Sequence, residues 1–493
     1  MLTYLILGII AFAWLDLSLG RASKWPIWPA PMLMGLAFLM SIVQWIMAPE
    51  PVANTLLSLS TEGYVLTALV SFISWIVLTY SLRHLAGNRN QRRTLQNLVA
   101  ITFSLIVFVT ANHTLVLAGS LLLSNVLLGR LVQHQGVWKA AGHSGKMIVG
   151  YLGAATLLLS GVAILLYVDQ GTWLLSELNV AALGAHTISI AVALVVFAAL
   201  LQSANWPLHG WLIASANAPT PVSAFMHAGL VNGGGIILYK FFPLLPLATW
   251  SFDMLFILGG LTALLGTAWM LVQPDIKRTL TCSTVGQMGF MIMQCGLGLF
   301  PAAMAHMIWH GLFKASLFLG AGGAIKAPTN QSLRLTGSMA LPTLSAGLLI
   351  GAAGAWIFVQ FTGAIGPLDS TYSLLLIFCG ITIAHTAMSL LRDSRSLGKL
   401  TLAAVVGLGG ATLYGASVAW LEQAFPFSSA QPLQPLHLVV VFVFVGAWLA
   451  SLFRPYLPDE QVQKWLSTLY TWAFRLSQPV RRSVTLRRET YRW

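Results

Sequence analysis

The chain has 493 residues, of which 57% are hydrophobic and only 8% charged, with a formal net charge of +13. A soluble domain carries roughly 25% charged residues, so a chain this long could not cover a soluble surface with so few. The composition excludes an ordinary cytoplasmic enzyme, a disordered protein and a disulfide-built secreted scaffold.

About 20 mostly apolar residues cross a bilayer. The run from Met1 to Gly20 has no basic residue ahead of it and no small-residue cleavage pattern after it. It reads as a first membrane helix rather than a signal peptide. In chain order the expected spans are 2–20, 28–48, 63–83, 97–113, 114–132, 146–168, 180–203, 219–240, 251–272, 279–299, 303–325, 341–361, 371–391, 400–421 and 434–453, fifteen in all. The closest pair turns at Asn112–His113. Continuous apolar runs without a soluble-domain-sized loop predict an all-α integral membrane fold, a polytopic domain over 1–455. A basic tail follows over 456–493. Within it, Val462, Trp465, Leu466, Leu469, Trp472 and Leu476 recur at three- and four-residue steps. Asp459–Leu476 is therefore expected to be an amphipathic helix, lying on the inner membrane face or docking a partner. The cysteines Cys282, Cys295 and Cys379 sit in apolar runs and form no CxxC pair, so neither a disulfide nor a metal site is expected from them.

Charge follows the alternation of these spans. Of the 26 basic residues, all but Lys240 and Lys314 fall on the side reached after the odd-numbered spans or in the tail. The opposite loops carry Glu50, Glu62, Asp169, Glu177, Asp253, Asp369 and Glu422. By the positive-inside rule the basic side is cytoplasmic, which puts the N-terminus outside and the C-terminus inside. The positive excess is thus a topology signal, and no nucleic-acid partner is expected.

Ionisable groups deep in a membrane helix are costly and are candidates for function. His306, His310 and Lys314 stand at i, i+4 and i+8 in HMIWHGLFKASLFL, along one helix face. Lys314 has no acid near it in sequence. A lysine able to release its proton beside two imidazoles makes a proton relay. The alternative is a lysine that snorkels to an interface while the histidines bond nearby carbonyls. His306-x-x-x-His310 also has metal-ligand spacing, but no carboxylate or cysteine accompanies it, so no metal is expected.

The second feature is QSANWPLHGWLIASANAPTPVSAFMHAGLVNGGGIILYK, Gln202–Lys240. Pro207 interrupts the seventh span, and Pro219 and Pro221 open the next. Broken helices are tolerated beside protein or a water-filled cavity and often mark ion sites. Gln202, His227, Asn232 and Lys240 supply polar groups along it, and Gly233–Gly235 permits close packing or a hinge. His186, Gln287 and His385 are single polar residues in apolar runs and read as interhelical glue.

PTPVSAFMHA (219–228), DIKRTLTCSTVGQMGFM (275–291) and HMIWHGLFKASLFL (306–319), in this order and spacing, resemble the antiporter-like subunits of respiratory complex I and of Mrp-type cation/proton antiporters. The similarity runs over about residues 60–335. The resemblance implies two inverted five-helix repeats with broken helices, and proton movement through buried lysines, histidines and glutamates. Lys314, His310 and His306 match the relay of the family's eleventh helix, and His227 its eighth-helix histidine. Three expected groups are missing. No Asp or Glu lies between Glu62 and Asp169, where the fifth helix would carry a glutamate. Gln202 stands for the seventh-helix lysine, and 341–361 carries no charge.

Those departures, and a short basic tail in place of a long lateral helix, separate the chain from complex I subunits. HGWLIASANAPTPVSAFMHAGLVNGGG is similar to the membrane subunits of Dab-type inorganic-carbon transport complexes. That resemblance implies a multi-pass protein of the bacterial inner membrane that conducts a cation, read as H+ with Na+ as the alternative. It also implies a large cytoplasmic partner related to carbonic anhydrases, which holds zinc and hydrates CO2 to bicarbonate. This chain itself is expected to carry no cofactor and to be no enzyme. The alternatives are a subunit of a multi-subunit Na+/H+ antiporter or of a complex I or hydrogenase-type pump, and a non-conducting membrane anchor for a soluble enzyme.

Overall fold

The computed structural model describes residues 2–19, 26–47, 52–53, 55–133, 138–326, 340–363, 370–391, 396–424, 430–453 and 459–484. The charge assignments at Arg21, Lys24, Glu50, Arg334, Asp369, Arg392, Asp393, Arg395, Arg454, Arg487, Arg488, Glu489 and Arg492 lie outside these residues.

The protein is almost wholly helical. Helices α1 (Leu2–Leu19) and α2 (Pro29–Met47) are followed by a minimal antiparallel hairpin, β1 (Val52–Ala53) and β2 (Ser58–Leu59). Then come α3 (Thr61–His84), α4 (Gln91–Thr110), α5 (Thr114–Val132), α6 (Lys139–Gln170) and α7 (Ala185–Gln202). The short α8 (Gly210–Ala214), α9 (Thr220–Ala228) and α10 (Gly233–Lys240) lead to α11 (Trp250–Val272), α12 (Ile276–Gly296) and α13 (Phe300–Gly320). The chain continues with α14 (Ala340–Thr362), α15 (Tyr372–Leu391), α16 (Leu397–Ala424), α17 (Pro435–Phe453) and the amphipathic α18 (Asp459–Leu476).

Thirteen helices among the described residues are long and apolar enough to cross a membrane, counting Thr220–Lys240 as one. Each falls on one of the expected spans. The expected fifteen reduces to thirteen on this measure because 279–299 and 303–325 form α12 and α13, whose Thr, Gln, His and Lys content lowers their apolarity. These two helices carry much of the candidate chemistry. The turn between α4 and α5 is held by Asn112, which bonds Ser176, and by the His113 ring, which accepts from Leu115 N at 3.3 Å and so caps α5.

The chain divides into two compact units. The first comprises 1–293, 307–325 and 473–493, the second 294–306 and 326–472. In the first, small residues let backbones approach, the usual packing device where lipid removes the hydrophobic drive between helices. A Cβ at Gly266 of α11 would collide with Gly286 of α12, and one at Gly234 of α10 with Ala199 and Ser203 at the end of α7. The triplet Gly233–Gly235 thus serves close packing. In the second unit α14, α15 and α16 pack together around Ala387, Leu391 and Ala403. A Cβ at Gly351 would lie 2.6 Å from the Gly380 carbonyl.

Candidate functional site

Two interruptions build the site in the first unit. Helix α7 stops at Gln202 because Ala204 takes φ +51°, a left-handed conformation that ends helical hydrogen bonding, and Pro207 follows. Pro219 and Pro221 then open α9, where a missing N–H costs nothing. The eighth span, expected over 219–240, is itself interrupted. Between α9 and α10 the chain makes a 3-10 turn at Leu230–Asn232.

The two breaks satisfy each other. Carbonyls of the turn at 230–232 are met by the end of α7: Gln202 Nε2 donates to Leu230 O at 3.2 Å, which also accepts the Gly233 N–H, and Ser203 Oγ donates to Val231 O at 2.7 Å. Trp211 Nε1 returns a bond to Leu201 O at 3.0 Å, and Thr262 Oγ1 accepts from Trp206 N at 3.0 Å. Gln202 also forms a reciprocal amide pair with Asn125 of α5, at 3.1 and 3.3 Å, with both side chains buried. The fifth and seventh helices are therefore joined by a neutral pair, where the family resemblance leads one to expect a carboxylate and a lysine. Asn125 was not legible as a site residue. It is a lone amide in an apolar span, and its partner lies 77 residues away.

Lys314 and His227 come together across α13 and α9. Lys314 is fully buried, and its Nζ donates to Leu280 O of α12 at 3.2 Å. His227 is buried, lies within electrostatic reach of Lys314, and stacks on Phe318 one helical turn beyond it, with ring centroids 4.3 Å apart. A Cβ at Gly311 would stand 2.8 Å from the Ala228 carbonyl, so glycine there lets α13 reach the end of α9. Asn232 Nδ2 donates to that same carbonyl at 2.9 Å. His227 Nδ1 and Asn232 Oδ1 are buried without a partner among the described residues. An unsatisfied buried polar atom costs about 1–3 kcal/mol, so these are the atoms where a proton or a water molecule gains most.

His310 is buried on α13, one turn before Lys314. His306 is one turn earlier and belongs to the second unit. There its Nδ1 bonds Gln294 Oε1 at 3.0 Å, Gln294 Nε2 donates to Tyr414 Oη at 3.1 Å, and Tyr414 Oη donates to Ala302 O at 3.2 Å. Gln294 and Tyr414 were missed, each reading as one polar group in an apolar run. Lys240 closes α10. Its Nζ donates to Ala111 O at 3.1 Å, and Glu62 of α3 lies beside it and Tyr239. Of the weaker candidates, His385 accepts from Trp448 Nε1 at 3.4 Å, as interhelical glue should, while Gln287 is exposed.

The geometry has a counterpart among known proteins. The family model described as NADH:quinone oxidoreductase/Mrp antiporter, TM, matches residues 114–389. A protein of Bacillus subtilis (strain 168) named probable inorganic carbon transporter subunit DabB is 32% identical over 448 residues, 86% of this chain and 84% of that one. A protein of the same name from Bacillus anthracis is 30% identical over 508 residues, 98% of this chain and 95% of that one. Among solved structures, the Mrp complex from Dietzia sp. DQ12-45-1b contains a chain of similar fold, with a TM-score of 0.64 at 22% identity. The match covers 96% of this chain and 59% of that one. This is a multi-pass membrane protein of the transporter-subunit type, and it belongs to the NADH:quinone oxidoreductase/Mrp antiporter membrane family.

Proposed function

We propose that this chain is the cation-conducting membrane subunit of a Dab-type inorganic-carbon uptake complex in the bacterial inner membrane. The cation is H+, passed by Lys314 with His227 and His310, while His306 acts at the other end of the same helix. The partner is a large cytoplasmic zinc-binding subunit related to carbonic anhydrases, the DabA type, in which the cation gradient drives hydration of CO2 to bicarbonate. The N-terminus lies outside and the C-terminus inside. The core keeps the inverted five-helix repeats of its family.

One observation carries the conduction reading. Lys314 is fully buried, and among the described residues it has no carboxylate bonded to it and a single carbonyl acceptor. Charge at such a position is expensive and persists where it is used. An ammonium held this weakly can pass its proton to the neighbouring imidazole and recover it, the role of a relay. Helix breaks at 203–209 and 229–232 support the same reading, since irregular backbone at membrane depth accompanies ion sites. The names of the two Bacillus relatives support the carbon-uptake assignment.

The neutral pair Asn125–Gln202 favours a second reading for the first half of the chain, in which that half conducts nothing and serves as scaffold. The test is Lys314→Met in the complex purified from its native membrane. Loss of cation-driven carbon uptake with the complex intact supports the relay, and normal uptake refutes it. A large soluble zinc protein at one-to-one stoichiometry supports the Dab branch. Small membrane subunits in its place support an antiporter complex.

A further inference from the structure

From the last turn of α18 onward the chain does not run free. Ala473, Ser477 and Ser483 are buried against the first unit, and the turn Arg481–Ser483 packs on α6. The contacts are specific and polar. Gln273 Nε2 donates to Ser477 Oγ at 2.6 Å, Arg278 NH1 to Gln478 Oε1 at 3.3 Å, and Asn217 Nδ2 to Ser483 O at 2.8 Å. The His209 ring reaches the backbone of Leu476. The residues engaged stand beside the first helix break and the starts of α9 and α12. His209 and Asn217 flank α8, Asn217 precedes α9 with its His227, and Gln273 and Arg278 flank the start of α12 with its Leu280 acceptor for Lys314.

Under this segment lies a cavity of about 260 Å³. Its floor includes Asn217, Asp275, Lys277 and Arg278, and Pro479, Ser483 and Val484 of the tail form one wall. Lys277 donates to Ala218 O at 2.9 Å, two residues before α9 begins, and lies within electrostatic reach of His227. A polar, partly charged cavity thus reaches the buried histidine electrostatically through Lys277, on the side that the basic residues assign to the cytoplasm.

We propose that this cavity is the vestibule through which the conducted cation is exchanged with the cytoplasm, and that residues 473–484 are its lid. Asp275, exposed at the rim with one carboxylate oxygen accepting Arg278 N at 2.9 Å, is the collecting group for a proton or hydrated cation. The lid is the direct continuation of α18. Whatever binds that amphipathic helix therefore pulls on or seats the wall of the vestibule, which gives a cytoplasmic partner a handle on conduction. The proposal rests on the conduction reading above and adds to it the place and control of exit.

Two measurements on the full chain in vesicles test it, both with Cys379 replaced by Ser so that the remaining native thiols are buried. First, Ala216→Cys, in the lining of the cavity and only partly exposed, is modified by a cationic, membrane-impermeant thiol reagent. Adding Asn217→Ala and Gln273→Ala, which unseats the lid, is expected to speed modification about tenfold, as a shifted open fraction should. An unchanged rate overturns the lid. Second, Gln273→Cys and Ser477→Cys are joined by a short bis-methanethiosulfonate bridge. Proton flux is expected to fall at least about fivefold when bridged and to return on reduction. Flux indifferent to the bridge, while the first measurement still responds, overturns the vestibule. A chain that conducts in neither state refutes the conduction reading itself, with the lid still reported by modification.

Discussion

The amide pair of Asn125 and Gln202 offers a quantitative test of how the two helix breaks are held together. Gln202→Leu removes bonds at 3.1, 3.3 and 3.2 Å and leaves two buried polar atoms without partners, both amide atoms of Asn125, while the Leu230 carbonyl keeps the Gly233 N–H. At about 1–3 kcal/mol for each of the two orphaned groups, partly recovered by relaxation, the expected loss of stability is about 2 kcal/mol or more. Asn125→Leu alone orphans only the Gln202 carbonyl oxygen, because Nε2 keeps Leu230, and should cost about 1–3 kcal/mol. The double variant removes both amides of the pair, and the Leu230 carbonyl keeps the Gly233 N–H. It should therefore be less damaging than Gln202→Leu alone, a coupling of about 2 kcal/mol between residues in contact. Heating in detergent with a thiol-reactive dye reads this directly once Cys379 is replaced by Ser, since Cys282 and Cys295 are free thiols that stay buried until the chain opens. Additive effects in the double variant, or a Gln202→Leu midpoint equal to that of the parent, would refute the reasoning.

Further outcomes follow from other parts of the structure. Lys314→Met should fold as well as the parent or better by about 1 kcal/mol, because an apolar chain of similar length replaces a buried charge; the same dye assay checks it, with flux lost. His227→Phe should keep the stack on Phe318 and hence stability, yet conduct nothing, whereas retained flux would remove His227 from the path. Gly266→Leu should abolish folded protein by separating α11 from α12, at a cost above the roughly 1–3 kcal/mol of ordinary overpacking, whereas Gly119→Ala, with nothing near its Cβ, should be silent. Deleting 459–493 should weaken retention of a cytoplasmic partner in a pull-down from native membrane, since Trp465, Leu469, Tyr470 and Trp472 of α18 are exposed.

The membrane spans could be read from sequence because bilayer thickness sets a length and solvent exclusion sets an apolarity, both local properties of a run of residues. The amphipathic α18 was legible for the same reason: its period lies within one helix. Lys314, His310 and His227 stood out because a charge or imidazole inside an apolar run carries its cost wherever the chain goes.

What the sequence left open concerns partners. Gln202 and Asn125, or His306, Gln294 and Tyr414, become networks only when distant helices bring complementary atoms within hydrogen-bond reach. The second break, at Leu230–Asn232, lies in a run whose composition permits an unbroken helix. It forms where α7 offers Gln202 and Ser203 to the carbonyls of the turn. The docking of residues 473–484 over the start of α12 was likewise invisible. By itself the sequence determined which residues lie in the membrane and which of them are expensive there. Only the tertiary structure decided which of those costs are met by a neighbour and which, at Lys314 and His227, are left standing, because hydrogen-bond satisfaction is a property of pairs brought together in space.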